Sequence, residues 1–105
     1  MKHEIVLSPA AVDEYRTLSA FERAQVRDAL ERHLRHQPTK TSRSRIKRLR
    51  GLRKPQYWLL AGDLRVFYDV VEGRVEILAI VAKSQAEVWL EKKGVRDEKG
   101  RTRSS

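Results

Sequence analysis

Between Tyr57 and Ala82 apolar residues recur with a period of two, and the run is broken twice by a short polar step containing glycine: YWLLA, Gly62-Asp63, LRVFYDVV, Glu72-Gly73, RVEILAIVA. Two-residue loops of this type supply the positive φ that hairpin turns require, so the stretch predicts three antiparallel strands. Counting outward from the loops pairs Tyr57 with Tyr68, Trp58 with Phe67 and Leu60 with Arg65. In the second hairpin the same count pairs Val70 with Val75, Tyr68 with Ile77, Phe67 with Leu78, Val66 with Ala79 and Arg65 with Ile80. Opposed residues share a face. One face is then uncharged (Tyr57, Leu59, Leu64, Val66, Tyr68, Val70, Val75, Ile77, Ala79 and Val81) and is predicted to be the core. The other (Trp58, Leu60, Arg65, Phe67, Asp69, Arg74, Glu76, Leu78 and Ile80) sets an arginine among aromatic and aliphatic groups, and is predicted to be the working face. Asp69 faces Glu76, a like-charge pair that Arg74 is placed to relieve.

On either side the period changes. His3–Leu7 (HEIVL) predicts a short strand, and Ser8-Pro9 an N-cap followed by proline at the first helical position, with a helix to about Thr17. Ser19 and Glu22 form a capping box that opens a second helix, predicted to run from about Ala20 to about His36, with Val26, Leu30, His33 and Leu34 on one stripe. Gln37-Pro38 ends it. Thr39–Arg45 is an aperiodic polar loop, and the spacing of three between Ile46, Leu49 and Leu52 predicts a helical turn that pins basic residues to the domain. Gln85–Lys93 predicts a short helix stopped by Gly94. The 105 residues hold one domain, predicted as 1–94, with 95–105 a disordered basic tail. The fold class is α+β: a small twisted antiparallel sheet with two N-terminal helices packed on one face and a short C-terminal helix.

Charge narrows the picture because it is uneven. Net charge is +9, yet residues 1–39 carry six basic and six acidic groups, whereas 40–54 carry eight basic groups (Lys40, Arg43, Arg45, Lys47, Arg48, Arg50, Arg53, Lys54) and no acid. Such a block suits a nucleic-acid surface or an acidic protein partner; a merely solvated loop is the bland reading. The sequence has no cysteine, which excludes disulfides and thiolate metal sites. No apolar run approaches a membrane span and the N-terminus lacks signal-peptide architecture, so the expectation is a cytoplasmic protein without membrane contact. His33 and His36 lack the further ligands a zinc site needs. There is no phosphate loop and no HExxH, GxSxG or DxDG pattern, and no cofactor is expected.

The order strand, two helices, basic loop, three-stranded meander and terminal helix, together with IKRLRG, QYWLLAGDLRVFYDV and VEILAIVAKSQAEVWL, resembles the RelE/ParE superfamily of bacterial toxin–antitoxin toxins. The similarity covers residues 3 to about 93. Its most specific piece is AGDLRVFYDV, with arginine after the turn, followed by the Leu-x-Gly step Leu49-Arg50-Gly51.

In the RelE branch the resemblance implies a toxin that enters the ribosome and cleaves mRNA by attack of a ribose 2′-hydroxyl on the adjacent phosphate. Such chemistry can run on orientation, base stacking and cationic stabilisation of phosphate charge. Arg65 matches the arginine such nucleases place on the scissile phosphate, and Lys83 the basic residue near the C-terminus. Arg43, Arg45, Lys47, Arg48, Arg50, Arg53 and Lys54 are the expected RNA-phosphate contacts, with Trp58, Phe67 and Trp89 as stacking groups. The chain departs from the pattern at Trp58 and Leu60, where basic residues are usual, and at Trp89, where tyrosine is. Tryptophan cannot accept a proton. The apolar members of the working face therefore have two other readings: an antitoxin-binding patch or a second small core. For Arg65 the alternative is an ion pair with Asp63 or Asp69. In the ParE branch the same fold inhibits DNA gyrase without nuclease activity, and a third possibility is a non-toxic binding module. Every branch implies a cognate antitoxin, acidic where it meets residues 40–54.

Overall fold

The computed structural model describes residues 2–97. Five strands form the main sheet: β1 (Glu4–Leu7), β2 (Ile46–Arg48), β4 (Tyr57–Ala61), β5 (Leu64–Val71) and β6 (Arg74–Ala82), in the order β1-β6-β5-β4-β2. All neighbours are antiparallel except β1 and β6, which are parallel; the two helices that follow β1 carry the chain across the sheet before β2. Helices α1 (Pro9–Thr17) and α2 (Ala20–Ala29) cover one face, and α3 (Ala86–Lys93) packs on the other.

Local chemistry sets these boundaries. The Ser8 hydroxyl accepts the Ala11 N–H, and Ser19 and Glu22 satisfy each other's backbone donors in a complete capping box. The second helix ends its α-geometry at Ala29 and continues as a π-turn, Leu30–Leu34, rather than as α-helix to His36. The wider turn keeps both Leu30 and Leu34 in the core. In the turns, Gly62 (φ 62°) opens the first hairpin, while Glu72 (φ 35°) and Gly73 (φ 76°) are both left-handed in the second. A side chain at Gly62 would also strike Gln25 of α2, which lies over the turn.

Three expectations are corrected. Ile46–Leu52 is not helical: β2 pairs with β4, Ile46 is buried, and β3 (Leu52–Lys54) forms a separate ribbon with β7 (Val95–Arg96). The spacing of three arises because a tight bend at Arg50-Gly51 separates two strands. Residues 95–97 are consequently ordered, Asp97 N–H donating to the Gly51 carbonyl at 3.0 Å; the remainder of the expected tail lies outside the described residues.

The third correction is one of register. The first hairpin pairs as predicted, and so does the second from Val71 and Arg74 back to Tyr68 and Ile77, with Arg74 bonded to Glu76 at 2.8 Å. Beyond that point Phe67 pairs with Ala79, not Leu78. Leu78 is the extra residue of a β-bulge, and a shift of one residue exchanges faces. Ile80 therefore joins the helix-side core, while Ala79 and Val81 turn to the α3 side. The bulged half of β6 runs past the end of β1, and α1 supplies the missing partners. Ser8 Oγ donates to the Leu78 carbonyl at 3.1 Å, and Glu14 Oε1 accepts the Ile80 N–H at 2.8 Å.

Candidate nucleic-acid interface

Pairing across β2, β4, β5 and β6 puts Lys47, Trp58, Phe67 and Ala79 in one row on the α3 side, and Leu60, Arg65 and Val81 in the next. α3 closes over the inner part of this face. Its Trp89 stacks on Phe67 with centroids 4.7 Å apart and planes 9° apart, and Ala86 and Leu90 join the same cluster. Phe67 is fully buried as a result and presents no face to a base, which corrects its assignment as a stacking residue. Of the apolar groups read as a possible second small core, Phe67 lies at the centre of one, buried with Ala79 and Ala86 and with Trp58 packed against it.

Trp58 stays half-buried at the rim. Its ring lies 5.8 Å from Phe67 on one side and 5.7 Å from the Arg65 guanidinium on the other. Its indole N–H is buried and has no hydrogen-bond partner among the described residues.

Arg65 is only 8 % exposed. Its Nη1 donates to the carbonyls of Gly62 (3.2 Å) and Leu64 (3.0 Å), and it forms an ion pair with neither Asp63 nor Asp69. Burial of an unpaired guanidinium is costly, and here two carbonyls and one aromatic face offset the lost water. The exposed Lys83 is tied to the same turn, its backbone N–H donating to Asp63 O at 2.8 Å. Arg65 and Lys83 are thus held at one end of the sheet by one two-residue loop.

Arg43, Arg45, Lys47, Arg48, Arg50, Arg53 and Lys54 are all exposed, but they do not share one surface. Arg43, Lys47, Arg48 and Arg50 line an open groove along the outer edge of β2. Arg48 lies 5.1 Å over the Tyr57 ring and donates to the Gln56 carbonyl at 3.0 Å, so its head group is fixed. Arg53 and Lys54 belong to the β3–β7 ribbon. A cationic edge strand also resists pairing with a second sheet.

Buried polar groups hold this edge in place. Asp69, 6 % exposed, accepts the Gln56 N–H at 2.7 Å, while Gln56 Oε1 accepts the Val70 N–H, which clamps the entry to β4. Burial pushes the Asp69 carboxyl above its ordinary range, against the bond from Gln56 and the nearby Lys54. Tyr68, whose phenol burial also pushes up, donates to the Pro38 carbonyl at 2.6 Å and anchors the loop that carries the cations. The sequence offered one hint of the clamp, in the acidic residue at an otherwise apolar strand centre. Among the described residues no cluster of three or more His, Asp or Glu is disposed to hold a metal.

No protein-family model matches the chain, and no curated protein resembles it significantly in sequence. Its architecture is decided by solved structures. E. coli toxin RelE, as a mutant in the free state, superposes with a TM-score of 0.67 over 85 % of this chain and 92 % of that one, at 21 % identity. The chain has the RelE fold. A chain of the toxin–antitoxin complex RelBE2 from Mycobacterium tuberculosis gives a TM-score of 0.65 over 78 % of this chain and 99 % of that one, at 19 % identity. The YoeB/ParE toxin from Agrobacterium tumefaciens gives 0.61 over 75 % and 97 %, at 16 % identity. The α+β fold expected from the resemblance is the one the chain adopts. No helix among the described residues is long and apolar enough to cross a membrane.

Proposed function

We propose that this chain is the toxin of a toxin–antitoxin pair and acts in the RelE manner, cleaving mRNA on the ribosome, with a cognate antitoxin holding it inactive. The observation that carries this reading is Arg65: a guanidinium that is buried and, among the described residues, has no carboxylate partner, beside a half-buried tryptophan whose N–H is likewise unpartnered there. A fixed positive charge in a water-poor setting stabilises charge developing on a phosphate far better than a solvated one. Lys47 and Lys83 flank it on the two sides of the face, and the β2 groove supplies backbone contacts.

In this reading the ribose 2′-oxygen attacks phosphorus, the bond to the 5′-oxygen breaks, and the products are a 2′,3′-cyclic phosphate and a 5′-hydroxyl. Trp58 and Trp89 have no titratable proton to contribute. Catalysis rests on alignment of the RNA and on the cations, with proton transfer left to water or to the ribosome. Arg65 acts from beneath the surface, and Trp58 is the aromatic a base can reach.

A second reading, inhibition of gyrase in the ParE manner, is favoured by the closure of α3 over Phe67, which leaves less open sheet than an RNA cleft would use. Inducing the chain in growing cells and pulse-labelling protein and DNA separates the two. The RelE reading predicts that protein synthesis stops first; DNA synthesis stopping first supports gyrase, and growth without arrest overturns both.

A further inference from the structure

A cavity of about 250 Å³ opens on the opposite side of the β2 edge from Trp58, between the π-turn and the basic loop. Arg32, His33, Gln37, Lys40, Ser42 and Arg45 line it. Its walls are fixed from both directions. Tyr68 holds Pro38, the Lys40 N–H donates to Gln37 O, and the backbone of Arg45 is bonded at both ends, its N–H to Ser42 Oγ at 3.0 Å and its carbonyl to the Leu60 N–H at 2.8 Å. Neither the Lys40 ammonium nor the Arg45 guanidinium has a partner among the described residues, and the Ser42 hydroxyl accepts but does not donate. No carboxylate lines the cavity among the described residues, and the acid that acts on His33, Asp28, is exposed and engaged with Arg32 at 3.5 Å.

We infer that this cavity is a phosphate-binding site, built from His33, Lys40, Ser42 and Arg45, that holds an RNA backbone phosphate after the strand has rounded the β2 edge. The inference rests on the RNA-directed reading above and extends it past the β2 groove, with which this cavity shares Ser42 and Ile46. Two cations, a hydroxyl and an imidazole converging on one opening match an oxyanion in charge and in hydrogen-bond polarity. The imidazole reports on occupancy. Burial, then Arg45 and Arg32, hold His33 below its usual range, opposed by Asp28, and Lys40 lines the same cavity. An anion seated among these groups reverses that balance.

The test is NMR titration of the His33 imidazole in the full chain, alone, with inorganic phosphate, and with a ribo-oligonucleotide methylated at its 2′-hydroxyls so that it cannot be cut. The inference predicts that the oligonucleotide raises the His33 pKa by about 1. It also predicts that the combined Lys40→Ala and Arg45→Ala substitutions remove the rise and weaken oligonucleotide binding about tenfold or more. Because both side chains are exposed, the substituted protein should fold, and an unchanged thermal transition verifies that. A rise with inorganic phosphate alone would keep the phosphate site and overturn RNA as its source. No rise with either ligand, or an equal rise in the substituted protein, would overturn the site itself. None of these readouts needs a ribosome or cleavage, so a protein that binds here but leaves mRNA intact would separate this inference from the nuclease reading.

Discussion

Asp69 shows what a single buried charge does in this protein. Its carboxylate holds the first residue of the β4 approach, yet burial penalises its ionised form. Because the folded state raises its pKa, the group favours folding most below the ordinary carboxylate range and loses that contribution as pH rises through the raised value. Asp69→Asn keeps an acceptor for the Gln56 N–H and removes the charge. Its stability relative to the parent, measured by urea unfolding, should therefore improve between pH 4 and pH 7. Asp69→Ala leaves the Gln56 N–H unpaired and should cost about 1–3 kcal/mol. An identical pH profile for parent and Asp69→Asn would contradict this account. The sequence flagged Asp69 as a like charge opposite Glu76; the first hairpin's register sets Gln56 beside it, but that the carboxylate accepts the Gln56 backbone N–H is not written in any strand period. Arg65 was legible as a residue type in a motif, but its burial was not, since that depends on how Trp58 and the turn close around it.

Elements were legible wherever one period governed them and illegible where two pieces of chain had to meet. The hairpins, both caps and α3 follow from alternation and capping residues. The bulge at Leu78 does not, because both faces of β6 are apolar there and either register would bury hydrophobic groups. What fixes the register is α1, through Ser8 and Glu14. Glu14→Ala should accordingly cost about 1–3 kcal/mol by orphaning the Ile80 N–H, while Glu14→Gln, which keeps the acceptor, should cost much less. Chemical denaturation of the two variants checks the order; equal losses would contradict a role for the acceptor. On the opposite face, Trp89→Ala removes the ring stacked on Phe67 and should destabilise the fold by about 3–5 kcal/mol, with loss of α3 protection in hydrogen exchange. The strand β2 escaped notice for a similar reason: three residues carry no period, and only the pairing of Ile46 with Leu59 makes them a strand.

At the scale of the whole molecule the two faces have different tasks. The helix side is a packed core from Ala11 to Ile80, and the α3 side is half roof and half cationic rim. Residues 40–54 carry eight of the chain's 23 basic residues and no acid, so association with RNA or with an acidic antitoxin should be fast and should weaken steeply with salt. Replacing Lys47 and Arg48 by glutamate should flatten the salt dependence of RNA binding by roughly the two phosphate contacts removed. The central claim is cleavage of mRNA on the ribosome with Arg65 at its centre, and primer extension on a model mRNA in a purified translation system tests it most directly. Parent protein, Arg65→Ala, Arg65→Lys and a reaction without ribosomes would be compared at equal folded concentration. The account predicts ribosome-dependent cuts that fall about a hundredfold in Arg65→Ala and partly return in Arg65→Lys; intact mRNA at excess folded parent protein would contradict it.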